Sequence, residues 1–168
     1  MINNRKIFYL DDDKNKPIMA GGVIIYRILE NGDLELLLID SIRNFEDLGG
    51  KTSESDKNIF ETVTREAFEE SNEILNKIKI RTRIKKAEYV YTKKNKYIVY
   101  IIKATNNEKN LVSKEFGNKE YHDNIIRKIK WVNFNYLKKK EIFNNKLNWR
   151  IKNGKLFSML DNIQNKYK

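Results

Sequence analysis

Residues 18–40 read IMAGGVIIYRILENGDLELLLID, two apolar runs joined by Asn31-Gly32. The first run is β-branched and apolar enough to be a buried strand. Asn-Gly between two such runs is the strongest short hairpin signal, so the runs are expected to pair antiparallel. Gly21 and Gly22, inside the first strand, leave room for another backbone to come close. A chain that begins this way is committed to a sheet with hairpins, which argues against a doubly wound parallel architecture.

The rest of the chain fills in around that pair. Phe45 to Gly50 is expected to be a short strand ending in a tight turn, and residues 52–58 a loop. Ser55 or Asp56 can cap a helix starting near Asn58. Ile59, Phe60, Val63, Ala67 and Ile74 form its apolar stripe, and Asn72 can end it in the left-handed conformation. IKIRTRI alternates apolar and charged residues and predicts a half-buried strand. AEYVYT and KYIVYIIKA flank KKN as a hairpin. Residues 105–124 read as a long surface loop, a place where function often lies. IIRKIKWVNF is a further strand anchored by Trp131, NYLKKKEIF a short helix, and residues 155–164 a C-terminal helix. At 168 residues the chain suits one domain, and the element order predicts an α/β sandwich with a mixed sheet.

Formal net charge is +11, which favours acidic partners such as nucleic acid, nucleotides, polyphosphates or anionic lipid. The richness in Lys, Asn and Ile offers a plainer source for part of that excess. Cysteine is absent, which excludes disulfides, thiolate chemistry and zinc–thiolate sites. No stretch approaches the roughly 20 apolar residues that span a bilayer, and the first residues lack a signal-peptide pattern. A cytoplasmic protein with no membrane partner is the expectation.

Against this basic background the helix from Ile59 carries Glu66, Glu69 and Glu70 at i, i+3 and i+4, on one face. Like charges so placed repel. Arg65 offsets part of the repulsion, and a divalent cation would offset more, since hard oxygen ligands suit Mg²⁺, Mn²⁺ or Ca²⁺. A solvated acidic face is the ordinary alternative for a lone E-x-x-E-E.

With the preceding glycine pair included, Gly50, Arg65-Glu66 and Glu69-Glu70 resemble the Nudix box, G-x5-E-x7-R-E-U-x-E-E-x-G-U, U being bulky and apolar. AGGVIIYR and LELLLID are similar to the strands that lead into that box, and KIKWVNFNYL to the family's late Trp-Val strand and short helix. The likeness covers roughly residues 18–140. Asp56 stands where the box has its first Glu, one residue is inserted before Arg65, Ala67 replaces a bulky residue, and Asn72 replaces the closing glycine. The resemblance implies a Nudix-like α/β/α sandwich that hydrolyses a diphosphate linkage in a nucleoside diphosphate derivative with Mg²⁺ or Mn²⁺. It assigns metal to Glu66 and Glu70, with Glu69 as third ligand or helper and the Gly49 carbonyl beside them. Arg65 would orient a glutamate through a bidentate pair, Asp56 would assist through a water, and a late-loop acid, Glu120 ahead of Glu115, would act as base. His122, the lone histidine, reads as a solvated loop residue.

Two basic stretches, KIKIRTRIKKAEYVYTKKNKY and IRKIKWVNFNYLKKK, interleave cations with aromatics as nucleic-acid surfaces do. Tyr89, Tyr91, Tyr97 or Phe134 can stack on a base, unless they fill the core. Lys51, Arg43 and Tyr91 are the candidate substrate contacts. The leading substrate expectation is the 5′ cap or 5′ phosphates of RNA. Free nucleotide derivatives or diphosphoinositol polyphosphates are the alternative, and a non-catalytic RNA- or nucleotide-binding module is a third reading.

Overall fold

The computed structural model describes residues 4–168. A short pair, β1 (Phe8–Tyr9) with β2 (Pro17–Ile18), precedes the main sheet. That sheet holds β3 (Ala20–Ile28), β4 (Leu34–Ser41), β5 (Asn44–Glu46), β6 (Leu48–Lys51), β7 (Glu88–Thr92), β8 (Tyr97–Lys103) and β9 (Arg127–Asn133). Its central path runs β5-β4-β3-β8-β7, with β6 on the first half of β3 and β9 along β4. The β3–β8 pairing is parallel and the others antiparallel, so the sheet is mixed. The predicted hairpin forms, with Ile25 opposite Leu37 and Ile28 opposite Leu34. Its turn needs Gly32, whose φ of +85° suits glycine.

Helices α1 (Ile59–Glu70) and α2 (Lys77–Ile84) cover one face, and α3 (Phe134–Leu137), α4 (Lys140–Asn145) and α5 (Gly154–Asn165) the other. Alternation along β3 divides the core between the faces. Val23 and Ile25 pack with Val63, Ala67, Ile80 and Ile84, while Ile24 packs with Leu156, Phe157, Leu160 and Ile163. Both faces are therefore apolar, which is why these strands read as nearly continuous hydrophobic runs. The result is a mixed α/β protein, compatible with an α/β sandwich. Among the described residues no helix is long and apolar enough to cross a membrane.

Several local expectations are corrected. IKIRTRI lies in helix α2, not a strand. A strand would put Ile78, Ile80 and Ile84 on one face, but only Ile80 and Ile84, one helical turn apart, are buried, and Ile78 is 76% exposed. Burying each of the two contributes roughly 1.5–3 kcal/mol, and the Asn76 side chain caps the first turn of the helix. The cap of α1 is Asn58, which accepts from Glu61 N–H at 3.0 Å; Asp56 is engaged elsewhere. Ile74 lies beyond α1 and is exposed, and Leu75 fills the core instead. The segment from Phe45 to Gly50 is two strands, broken at Asp47. NYLKKKEIF spans two helices. Trp131 is only partly buried, its indole N–H donating to Leu111 O at 3.0 Å.

Candidate functional site

β6 crosses β3 glycine against glycine, Gly49 opposite Gly22 and Gly50 opposite Gly21. A Cβ on Gly49 would sit 2.5 Å from Gly22 Cα, and one on Gly50 would overlap the Glu66 carboxylate. The bare backbone thus lets α1 lay its acids directly on the strand. Because Ile59, Val63 and Ala67 turn to the core, Glu66 and Glu70, one turn apart, turn to β6. Glu70 is 5% exposed, and its Oε2 accepts from Gly49 N–H at 2.7 Å.

Arg65 is bound on every side. Its Nε and Nη2 reach the two Asp56 oxygens at 3.1 and 3.0 Å. Nη2 also donates to Lys51 O at 2.9 Å, and Nη1 to Glu66 Oε1 at 2.7 Å. The bidentate pair expected of Arg65 is therefore with Asp56, while Glu66 is held by a single bond. Asp56 accepts further from Ser53 N–H and the Thr62 hydroxyl, which ties the loop before α1 to the helix. Glu69 turns outward, 3.4 Å from Arg65 Nη1, and does not line the cleft formed by Glu66 and Glu70.

The late loop reaches the site through the end of α1. Asn72 takes φ 53°, the left-handed conformation expected of it, and its side chain does what glycine cannot. Nδ2 donates to Phe116 O and Lys119 O at 2.9 and 2.8 Å, and Oδ1 accepts from Tyr121 N–H at 3.0 Å. Arg127 adds bonds to Phe116 O, Gly117 O and Glu70 O. Together they bring Glu120, 6% exposed, to the cleft.

That cleft, about 230 Å³, is lined by Arg43, Gly49, Gly50, Lys51, Glu66, Glu70, Glu120, Asp123, Ile125 and Arg150. Of the residues expected from the sequence, Arg43, Gly49, Lys51, Glu66, Glu70 and Glu120 line it; Arg150 and Asp123 line it with no sequence signal, and the buried acids Glu46 and Asp47 carried none either. Arg150 Nη1 donates to Gly49 O at 2.9 Å, so the carbonyl assigned to metal already has a donor. Residue 150 stands in an irregular stretch with no motif around it. Tyr91 lies elsewhere, its hydroxyl bonded to Pro17 O. Tyr97 and Phe134 are core residues, the Tyr97 hydroxyl donating to Asp47 Oδ2 at 2.6 Å. Tyr89 lines a larger cavity of about 540 Å³ with Phe60 and Tyr100, beside the start of α1. His122 and Glu115 are not among the cleft residues.

The cleft is short of positive charge. Burial, then the neighbouring Glu66, push the Glu70 carboxyl well above its usual range. Burial likewise raises Glu66, against the pull of Arg65, and Glu120, helped by Asp123. Neither Glu46 oxygen nor Asp47 Oδ1 receives an aligned hydrogen bond, although Arg43 Nη2 lies 2.9 Å from Glu46 Oε1. Crowded, under-compensated hard oxygens are the donor chemistry a divalent cation selects. Among the described residues, however, no three acidic or histidine side chains converge closely enough, as they stand, to enclose one.

Fold and cleft together define a mixed α/β protein that sets an acidic pocket on a paired-glycine strand crossing. Scanned against protein-family models the chain matches none, and a search of curated proteins gives no match.

Proposed function

We propose that the protein is a divalent-metal-dependent hydrolase of the Nudix type that cleaves a diphosphate linkage in a nucleoside diphosphate derivative, with the 5′ cap or 5′ phosphates of RNA as first candidate. One observation carries this reading: Glu66 and Glu70 lie against the bare Gly49-Gly50 backbone, and Glu120 comes to the same cleft from the late loop. Glu66 and Glu70 would hold the Mg²⁺ or Mn²⁺. When bound, such an ion neutralises phosphate charge and acidifies a water. Arg65 orients Glu66. Glu120, raised toward neutrality by burial, is suited to take a proton. Arg43 and Lys51, at the exposed rim, draw in phosphate. RNA is favoured over a free nucleotide by Lys77 and Arg81 of α2, which border a second groove running past Arg65.

The test is a turnover screen of purified protein with Mg²⁺ and Mn²⁺ against capped RNA, dinucleoside polyphosphates, nucleotide sugars, ADP-ribose and inositol pyrophosphates. Hydrolysis of capped RNA that weakens steeply with salt is expected. Equal turnover of a free cap dinucleotide removes the RNA part of the reading, and no turnover of any substrate removes the enzyme.

The second reading, a binding module without catalysis, is favoured by the Arg150 bond to Gly49 O. It predicts nucleotide or RNA binding that is indifferent to divalent ions.

A further inference from the structure

Arg150 is delivered to the cleft by a latch. Phe45 N–H donates to Lys146 O at 2.9 Å and Asn148 N–H to Phe45 O at 2.8 Å. Asn148 Nδ2 reaches Arg43 O at 3.2 Å, and Asn148 Oδ1 accepts from Arg150 N–H at 3.1 Å. The segment between α4 and α5 is thereby fastened along β5, and the guanidinium is turned inward. Its side chain is 14% exposed. Rings of Tyr97 and Trp149 flank it, with centroids 5.4 and 5.9 Å away. On the polar side it meets Gly49 O, and Glu46 Oε2 at 3.8 Å. Behind it Asp47 Oδ1 is fully buried with no hydrogen-bond partner.

We infer that Arg150 is a resident cation of the acidic cleft, occupying the Gly49 carbonyl and balancing Glu46, Asp47 and Glu70, so that a divalent ion binds against it. The inference rests on the metal-dependent reading above. Two physical facts carry it. The carbonyl lone pair facing the cleft is already donated to, and a full positive charge held in a partly dry site repels a second cation strongly. Arg150 is here a positioning residue that sets how tightly the cleft takes its metal. The same contact is also structural, because without it Glu46 is left with Arg43 alone and Asp47 loses a nearby counter-charge. The two roles move two measurements in opposite directions.

The experiment is Mn²⁺ titration calorimetry on the full chain, with metal-free thermal melting alongside, for the parent, Arg150→Gln and Asn148→Ala. Arg150→Gln is expected to melt lower without metal yet bind Mn²⁺ at least ten-fold more tightly. Asn148→Ala, which loosens the latch and keeps the guanidinium, should shift both readouts the same ways by less. Equal or weaker Mn²⁺ binding by Arg150→Gln overturns the inference alone, since the parent still binds. If Arg150→Gln does not fold, unchanged Mn²⁺ affinity in Asn148→Ala overturns it. Absence of Mn²⁺ binding in the parent and every folded variant overturns the metal reading and this inference with it.

Discussion

Arg65 and Arg150 both bond to the backbone of β6, at Lys51 O and at Gly49 O, and they are bound in opposite ways. Arg65 spends its donors on Asp56, Lys51 O and Glu66. Asp56 in turn is met by Ser53 N–H and Thr62. Nothing there is left over. Arg150 makes one side-chain bond, to a carbonyl, and otherwise lies between aromatic rings and Glu46, whose two oxygens lack aligned donors, with Asp47 Oδ1 also unpartnered. A closed network holds a shape, whereas an under-satisfied one leaves oxygens open to something that arrives later.

The largest effect should come from Glu70→Gln, which removes the buried charge on the Arg150 side. Divalent-dependent hydrolysis is expected to fall at least about 10–100-fold, the cost of losing even an outer partner of a metal site. Metal-free melting should hold or rise, because burial opposes that charge. Parental turnover by this variant would mean that the open side is not the working side. Next is Arg65→Lys. Lysine cannot reproduce the fork to Asp56, so chemical denaturation should show a loss of about 2 kcal/mol, the scale of charged hydrogen bonds; an unchanged midpoint would deny that the closed network holds anything. Asn72→Gly keeps the left-handed backbone and deletes the staple to the late loop. A loss of about 1 kcal/mol is expected, with faster amide exchange confined to residues 116–121.

The smallest effect sharpens the contrast through pH. Burial works against the Asp56 charge, yet Arg65, Ser53 and Thr62 hold its carboxyl below the ordinary 3.8. Its stabilisation is present above that value and lost as pH falls through the lowered one. Burial raises Glu46 above 4.5, with Arg150 and Arg43 only partly offsetting it. Its contribution is full below 4.5 and is lost as pH rises through the folded value. Melting against pH should therefore flatten on the acid limb in Asp56→Asn and on the limb above 4.5 in Glu46→Gln. Interchanged limbs would reverse the assignment of closed and open sides.

Much of this was legible in the sequence where the signal is local. The Asn31-Gly32 hairpin, the Asn72 conformation and the facing of Glu66 and Glu70 follow from turn chemistry and helical spacing. The α2 segment imitates a strand because Ile78, Ile80 and Ile84 fit an alternating pattern; the exposure of Ile78 and the Asn76 cap, neither visible in that pattern, mark the helix. Asp56 was legible as a member of the box but not as the fork partner of Arg65, since the inserted residue hides the register. Arg150 left no trace at all. Its placement depends on a latch between Asn148 and Phe45, residues a hundred positions apart, and no periodicity reports such a contact.

That latch also sets an order of events. Chains emerge from their N-terminal side at about 5–20 residues per second, so Glu46, Asp47, Glu66 and Glu70 leave the ribosome several seconds ahead of residue 150. During that interval the carboxylates are present without the guanidinium that sits among them in the finished protein. The charge balance of the cleft is therefore completed only when the segment between α4 and α5 docks on β5, late in the chain's synthesis.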